Sequence, residues 1–155
     1  TNGIQALDLV GRKLASDGGK HMREYLNLIQ SFVNEEHSED FNTDFIAPLK
    51  KSIEHLQTAL LFFMENGLKN PLSAVSGATD FLHLVGLVSL GFIWSKQAQS
   101  ARDHLKNSVA NKDFLEAKIL TGTYFMHRQL PETKLRLDKV LTGEKQVMSL
   151  AANQF

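Results

Sequence analysis

Asp80 and His83 are the first pair of side chains whose spacing could do chemistry. They stand three residues apart in a strongly apolar stretch, so on a helix both would lie on one face. A carboxylate and an imidazole in this arrangement can ligate a metal, but a di-iron site in a helical bundle needs two such pairs and two further glutamates. The sequence has no second pair at that spacing. We therefore predict no metal site, and favour an Asp80–His83 hydrogen bond or an Asp80 near an exposed helix start.

The segment from Asp103 to Ser108 contains a second candidate, His104. Its order, Asp-His-Leu-Lys-Asn-Ser, is similar to the phosphoacceptor segment of histidine-phosphotransfer bundles. Those proteins place a residue between the histidine and the leucine and prefer glycine after the lysine, and this chain does neither. The pattern favours a solvated histidine near a helix end, where a cation suits the helix dipole. A phosphotransfer role for His104 is the alternative function.

An acidic cluster interrupts the first half of the chain. It comprises Glu35, Glu36, His37, Glu39 and Asp40. Carboxylates bind hard cations, but the ligand order and the glycine of an EF-hand are missing, so the cluster predicts a solvated connection. The pairs Arg12-Lys13 and Lys50-Lys51 are interpreted as ordinary surface charges. No catalytic residue is predicted, because no nucleophilic triad, phosphate loop or basic–aromatic patch is evident.

The composition excludes several classes of protein. A chain of 155 residues is long enough for one domain with a substantial core. Lys and Arg together number 17, as do Asp and Glu, so net charge does not favour nucleic acid or an anionic membrane surface. The lack of cysteine excludes disulfides and thiolate metal sites and fits a cytoplasmic protein. No signal peptide is visible, and a first residue of Thr leads us to expect a processed product or a piece of a longer chain.

The most apolar stretch, Pro71 to Lys106, is predicted to form the central helix. Between Phe81 and Trp94 almost no polar face remains, and such a helix must be buried on all sides or lie in a membrane. The run is shorter than the roughly 20 residues that span a bilayer, so we expect the centre of a bundle. Three glycines along it are expected to allow close approach of a neighbouring backbone: Gly77, Gly86 and Gly91.

Helices with apolar residues at helical spacing flank the central one on both sides. We predict them over residues 1–14, 20–36, 43–66 and 111–141. Asn42 or Thr43 should cap the third and Gly67 should stop it, while Asn70-Pro71 starts the central helix. Pro131 should kink or split the last helix. The predicted fold is all-α, an up-and-down antiparallel bundle of four main helices plus short terminal helices, with residues 144–155 as a short helix or docked tail.

Both ends of the chain resemble a known enzyme family. The start, Thr-Asn-Gly-Ile-Gln, continues to Asp-Leu-Val-Gly-Arg-Lys at residues 8–13. It resembles the segment that follows the catalytic Tyr-Glu-Gly of flavin-dependent acyl-CoA dehydrogenases and leads into the last helix of their catalytic core. The form found here is similar to the longer subfamily with an extra C-terminal helical domain. The segments that resemble the last helix and tail of that domain are residues 114–118, Phe125, Arg128, residues 130–133 and residues 143–155.

The resemblance implies a parent enzyme that oxidises acyl-CoA to 2-enoyl-CoA. In that family a glutamate base removes the α-proton, FAD accepts the β-hydride, and an electron-transfer flavoprotein reoxidises the flavin. The base would lie two residues before Thr1, outside this chain. Thr1 matches the family threonine whose segment touches FAD, and Gly3 stands where many members have glutamine. These two are the predicted cofactor-binding residues.

The resemblance also implies a division of the chain. Residues 1–16 would be the last helix of the catalytic core, and residues 20–155 the auxiliary bundle, packed on that core or on a neighbouring subunit of a homo-oligomer. The chain alone is expected to be inactive and to bind no flavin, and no nucleic acid or membrane span is expected. A purely structural interaction bundle is the remaining alternative. It predicts an exposed apolar patch from Ile4, Leu7 and Val10.

Overall fold

The computed structural model describes residues 1–66, 69–107, 110–147 and 149–154. Over these ranges the chain is built from helices, and no strand occurs among them, which confirms the predicted all-α bundle. In chain order the elements are α1 (Asn2–Asp8), the π-helical turn π1 (Leu9–Lys13), α2 (Leu14–Ser16), α3 (Lys20–Val33), α4 (Glu39–Phe41), the π-helical turn π2 (Asn42–Ile46), α5 (Ala47–Asn66), α6 (Pro71–Asn107), α7 (Lys112–Arg128), α8 (Glu132–Thr142) and a 3-10 turn (Ala152–Gln154).

The long helix α6 is the centre of the bundle. It packs against α1, α5, α7 and α8, and its Phe81, Leu84 and Val88 are fully buried. One face is nevertheless open to solvent, with four apolar side chains exposed by 47–54%: Leu72, Val75, Leu90 and Ile93. The prediction that this helix is buried on all sides is therefore wrong, because its neighbours cover only part of its circumference.

By length and composition α6 could also cross a membrane. Its most apolar window has a mean hydropathy of 1.4, and 39% of that window is buried inside the bundle. The same features belong to a core helix, whose inner face must be apolar to pack. The contacts with α5, α7 and α8 are those of a core helix.

Glycines on α6 differ in what surrounds them. A Cβ at Gly77 would meet the Val140 backbone at 3.4 Å, and one at Gly91 would meet a Leu130 methyl at 3.1 Å. The predicted close approach of a neighbouring backbone is confirmed at Gly77, whereas at Gly91 the three nearest atoms are side-chain methyls of Leu130 and Leu49, so the prediction is wrong there. A Cβ at Gly86 would meet no atom within 4 Å, so the prediction is wrong there.

Pro131 divides the predicted last helix in two. The α7 helix ends at Arg128 and α8 begins at Glu132, as expected where a proline removes a backbone donor. Within the described ranges the bundle consequently has five long helices, α3, α5, α6, α7 and α8, where the sequence predicts four.

Two of the predicted helix starts have different outcomes. Asn70 Oδ1 accepts a hydrogen bond from the Ser73 amide at 3.4 Å directly before α6, which confirms the Asn70 cap. The cap at Asn42 or Thr43 is wrong, because the helix already begins after Ser38 and Thr43 Oγ1 donates to the Glu39 carbonyl. The predicted stop at Gly67 lies outside the described residues.

Candidate functional site

The predicted cofactor-binding residues lie at the start of α1. Thr1 and Gly3 are both exposed, and a Cβ at Gly3 would contact nothing within 4 Å. Neither residue lines the groove or the cleft described below. The role of Thr1 and Gly3 in cofactor binding therefore stays a prediction.

An apolar groove lies where the N-terminal helices meet the start of α6. It encloses about 380 Å³, and no titratable side chain is among the residues that line it. The larger apolar side chains that line it are Leu7, Val10, Leu14, Phe63, Met64 and Val75. Such a groove can hold an apolar side chain or chain segment, but it has no group for acid–base chemistry.

Exposed apolar side chains extend this groove along the surface. Ile4 is 75% exposed and Leu7 is 47% exposed, whereas Val10 is buried. The predicted patch thus consists of Ile4 and Leu7, and the inclusion of Val10 is wrong because Val10 packs into the core. We call the apolar face the set Ile4, Leu7, Leu72, Val75, Leu90 and Ile93.

Asp80 bonds to a residue from another helix. Arg136 Nη1 donates to Asp80 Oδ1 at 2.8 Å, and both side chains are only about one-fifth exposed, at 22% and 20%. His83 is exposed, so the predicted Asp80–His83 hydrogen bond is wrong: Arg136 on α8 reaches the carboxylate instead. Within the described residues no group of three or more His, Asp or Glu could hold a metal ion.

Glu144, just after the end of α8, forms hydrogen bonds with residues at the start of α6. Its carboxylate accepts hydrogen bonds from Asn70 Nδ2 at 2.7 Å and from the Ser73 hydroxyl. The Ser73 bond, followed by the Asn70 bond, lowers the pKa of Glu144 from its ordinary value. A negative charge beside the first turn of a helix also suits the helix dipole.

The other predicted candidates lie apart on the surface. His104 is exposed near the end of α6, and its Nδ1 donates to the Ser100 carbonyl at 2.8 Å. The acidic cluster is divided, because Glu35 and Glu36 lie in the connection after α3 while Glu39 and Asp40 begin α4. The structure brings none of these groups to the apolar groove.

A cleft between α5, α7 and α8 brings Lys51, which the sequence analysis interprets as an ordinary surface charge, together with titratable residues that it does not single out. Its basic residues are Lys51, His55, His127 and Lys134, and we call it the basic cleft. Lys51 and His55 are one helical turn apart, a spacing that places them on one face. Nothing local in the sequence indicates that Lys134, on another helix, completes the set.

Comparison with known proteins identifies the family. Residues 25–151 match the family described as acetyl-CoA dehydrogenase C-terminal like. The chain is also 29% identical over 146 residues to 3-methylmercaptopropionyl-CoA dehydrogenase of Ruegeria pomeroyi, an alignment that covers 93% of this chain and 25% of the relative. The chain thus spans about a quarter of the length of that relative. The chain belongs to the acetyl-CoA dehydrogenase C-terminal-like family.

Proposed function

We propose that this chain is the C-terminal auxiliary domain of an FAD-dependent acyl-CoA dehydrogenase. The parent enzyme oxidises an acyl-CoA to the 2-enoyl-CoA, with FAD as the hydride acceptor and an electron-transfer flavoprotein as the oxidant of the reduced flavin. The chain itself acts in packing and assembly. The catalytic base of the parent enzyme lies in a part of that protein outside this chain.

Two comparisons support the proposal. The family match over residues 25–151 is to a C-terminal part of such enzymes, and the Ruegeria relative is named as an acyl-CoA dehydrogenase several times longer than this chain. The N-terminal Thr-Asn-Gly-Ile-Gln is the form that resembles the segment after the catalytic glutamate.

The apolar face is the structural observation on which the assembly role depends. Solvent contact with contiguous apolar side chains is unfavourable, and large patches of this kind mark interaction surfaces. Leu7 and Val75 line one groove, and Leu72, Val75, Leu90 and Ile93 recur at intervals that place them on one side of α6. We infer that the catalytic core of the same polypeptide covers the apolar face, with residues 1–16 as the last core helix and residues 20–155 as the auxiliary bundle.

The cofactor assignment depends on the resemblance of the N-terminal segment to the one that follows the catalytic glutamate in this enzyme class. Thr1 and Gly3 would contribute one edge of a flavin site whose other residues lie outside this chain. We propose a cytoplasmic homo-oligomer for the parent enzyme. A phosphotransfer role for His104 stays an untested alternative, and the family match favours the dehydrogenase.

Production of two proteins side by side tests this function. The longer reading frame should yield a yellow flavoprotein that reduces an artificial electron acceptor when given acyl-CoA, while this chain alone should show neither flavin absorbance nor turnover. Flavin binding or acyl-CoA oxidation by the pure chain would contradict the assignment of both the flavin and the base to residues outside it. A phosphorylated response regulator that transfers phosphate to the chain, but not to a His104→Gln variant, would instead support the alternative.

A further inference from the structure

The basic cleft has the composition of a ligand site. It encloses about 480 Å³ between α5, the end of α7 and the start of α8. Its apolar lining includes Pro48, Met126, Leu130 and Pro131, of which Met126 and Leu130 are fully buried. A cavity of this size, mostly apolar with a few convergent polar groups, is typical of small-molecule sites.

The charges that line the cleft are all of one sign. Two lysines and two histidines line it, and none of its lining residues is acidic. Carboxylates lie beside two of the basic residues: Asp138 pairs with Lys134, and Asp44 Oδ1 lies 3.8 Å from His127 Nε2. Among the residues that the structure describes, Lys51 has no ion-pair partner within 4.0 Å, so its charge is free to meet an anion.

Hydrogen bonding determines which nitrogen of His55 carries the proton. The Thr133 hydroxyl is buried and donates to the Leu130 carbonyl at 2.8 Å. With its single proton in that bond, the hydroxyl oxygen accepts from His55 Nδ1 at 3.0 Å, and this assignment of the network places the ring proton on Nδ1. At neutral pH Nε2 is consequently the nitrogen left for a ligand.

The surroundings of His55 keep its ring neutral. Burial lowers the pKa of His55, and the charges of Lys51 and Lys134 lower it further, against the smaller opposing effects of Glu54 and Asp138. An anion in the cleft would offset the two lysines and favour the imidazolium, whose Nε2–H can donate to that anion.

We propose that the basic cleft binds an oxyanion, a phosphoryl or carboxylate group on a small apolar body, with Lys51 as its principal charge partner, His55 Nε2–H as a donor, and Lys134, which also pairs with Asp138, as a second cation. This site does not depend on the dehydrogenase function proposed above. Protonation of His55 favours the bound state, so affinity should rise as the pH falls toward the lowered pKa of the free His55 ring. The charged groups that face His55 are Lys51 and Glu54 on α5, His127 on α7, and Lys134 and Asp138 on α8.

Titration of the chain with two anions, followed by NMR of the histidine rings, tests the proposal. Sulfate represents a tetrahedral oxyanion and butyrate a carboxylate on an apolar chain, and chloride at matched ionic strength is the control. We expect saturable shifts of the His55 ring signals with an apparent Kd on the order of 1–10 mM, and a pKa of His55 raised by about 0.5 or more. A response to sulfate alone would indicate a phosphoryl ligand, and a response to butyrate alone a carboxylate ligand.

Paired lysine variants give the control for charge. Lys51→Gln should raise the apparent Kd about tenfold, the loss of affinity expected for one charge-assisted contact. Lys50→Gln removes the same charge from the neighbouring exposed position, outside the cleft lining, and should leave the Kd within about twofold. No saturable shift of His55 with either anion, or equal weakening by both variants, would overturn the proposal.

Discussion

The guanidinium of Arg136 and the carboxylate of Asp80 join α8 to α6 through a bond of 2.8 Å between Nη1 and Oδ1. The pair is largely shielded from solvent, and Arg136 Nε is buried with no hydrogen-bond partner among the described residues. Lys139 Nζ lies 4.0 Å from the same carboxylate, and Arg136 Nη2 lies 3.7 Å from Glu132. Asp80 is therefore the carboxylate closest to the Arg136 guanidinium, whose positive charge is largely shielded from solvent.

Asp80→Ala should consequently destabilise the bundle by about 1–3 kcal/mol, between the values for exposed and fully buried pairs. Urea denaturation monitored by circular dichroism measures the loss. Asp138→Ala is the matched control, since its pair with Lys134 is exposed and should contribute less than about 0.5 kcal/mol. Equal losses in the two variants would show that the Asp80–Arg136 bond has no special role.

Two glycine substitutions should change stability in opposite directions. Gly86→Ala adds a methyl group into open space, so the gain in helix propensity should raise the free energy of unfolding by about 0.5–1 kcal/mol. Gly122→Ala would bring a Cβ within 3.0 Å of the buried Phe45 ring, and overpacking should lower the free energy of unfolding by about 1 kcal/mol or more. Thermal melts of the wild type and the two variants measure both changes in stability. A stabilising effect of Gly122→Ala would contradict the described packing.

Protonation of Glu144 should loosen the junction between α8 and α6. Because the folded-state pKa of Glu144 lies below its ordinary value of 4.5, the unfolded chain takes up the proton first as the pH falls. The stabilisation is therefore fully present above about pH 4.5 and is lost as the pH falls through the folded-state pKa. Melting temperatures of the wild type and of Glu144→Gln, measured from pH 6 to pH 3, should differ most at pH 6 and converge in acid. A difference that stays constant with pH would exclude this carboxylate as the cause.

The apolar face should matter more for association than for folding. Leu90 and Ile93 are 50% and 47% exposed, so replacing both by serine removes about half a buried side chain at each position and should lower the free energy of unfolding by about 1–2 kcal/mol, which leaves the bundle folded. The same change should weaken association with the catalytic core of the parent enzyme, measured by co-purification of the two separately produced parts. Leu28→Ser, at a similarly exposed position on α3, is the control. Unchanged co-purification in the double variant would remove this face from the proposed interface.

Local sequence signals predict much of the fold. The Asn70-Pro71 start of α6 and the break at Pro131 depend on backbone chemistry within one turn, and the structure confirms both. The start of α4 was missed because Ser38 comes before the segment in which apolar periodicity becomes clear.

Contacts between distant residues could not be predicted in the same way. Arg136 lies 56 positions from Asp80 and Thr133 lies 78 positions from His55, so no spacing rule connects them. The open face of α6 was missed for a related reason. The sequence of an apolar helix surface does not indicate whether it is covered by another helix of this chain or by a separate surface.

Sequencing the source reading frame upstream of the codon for Thr1 tests the central claim most directly. The proposed function predicts Tyr-Glu-Gly immediately before Thr1, preceded by a catalytic domain of several hundred residues, the size range of an enzyme with more than one domain. That result would place the catalytic glutamate two residues before Thr1. A start codon at that point, or an upstream sequence with no such motif, would contradict the assignment of this chain to an acyl-CoA dehydrogenase.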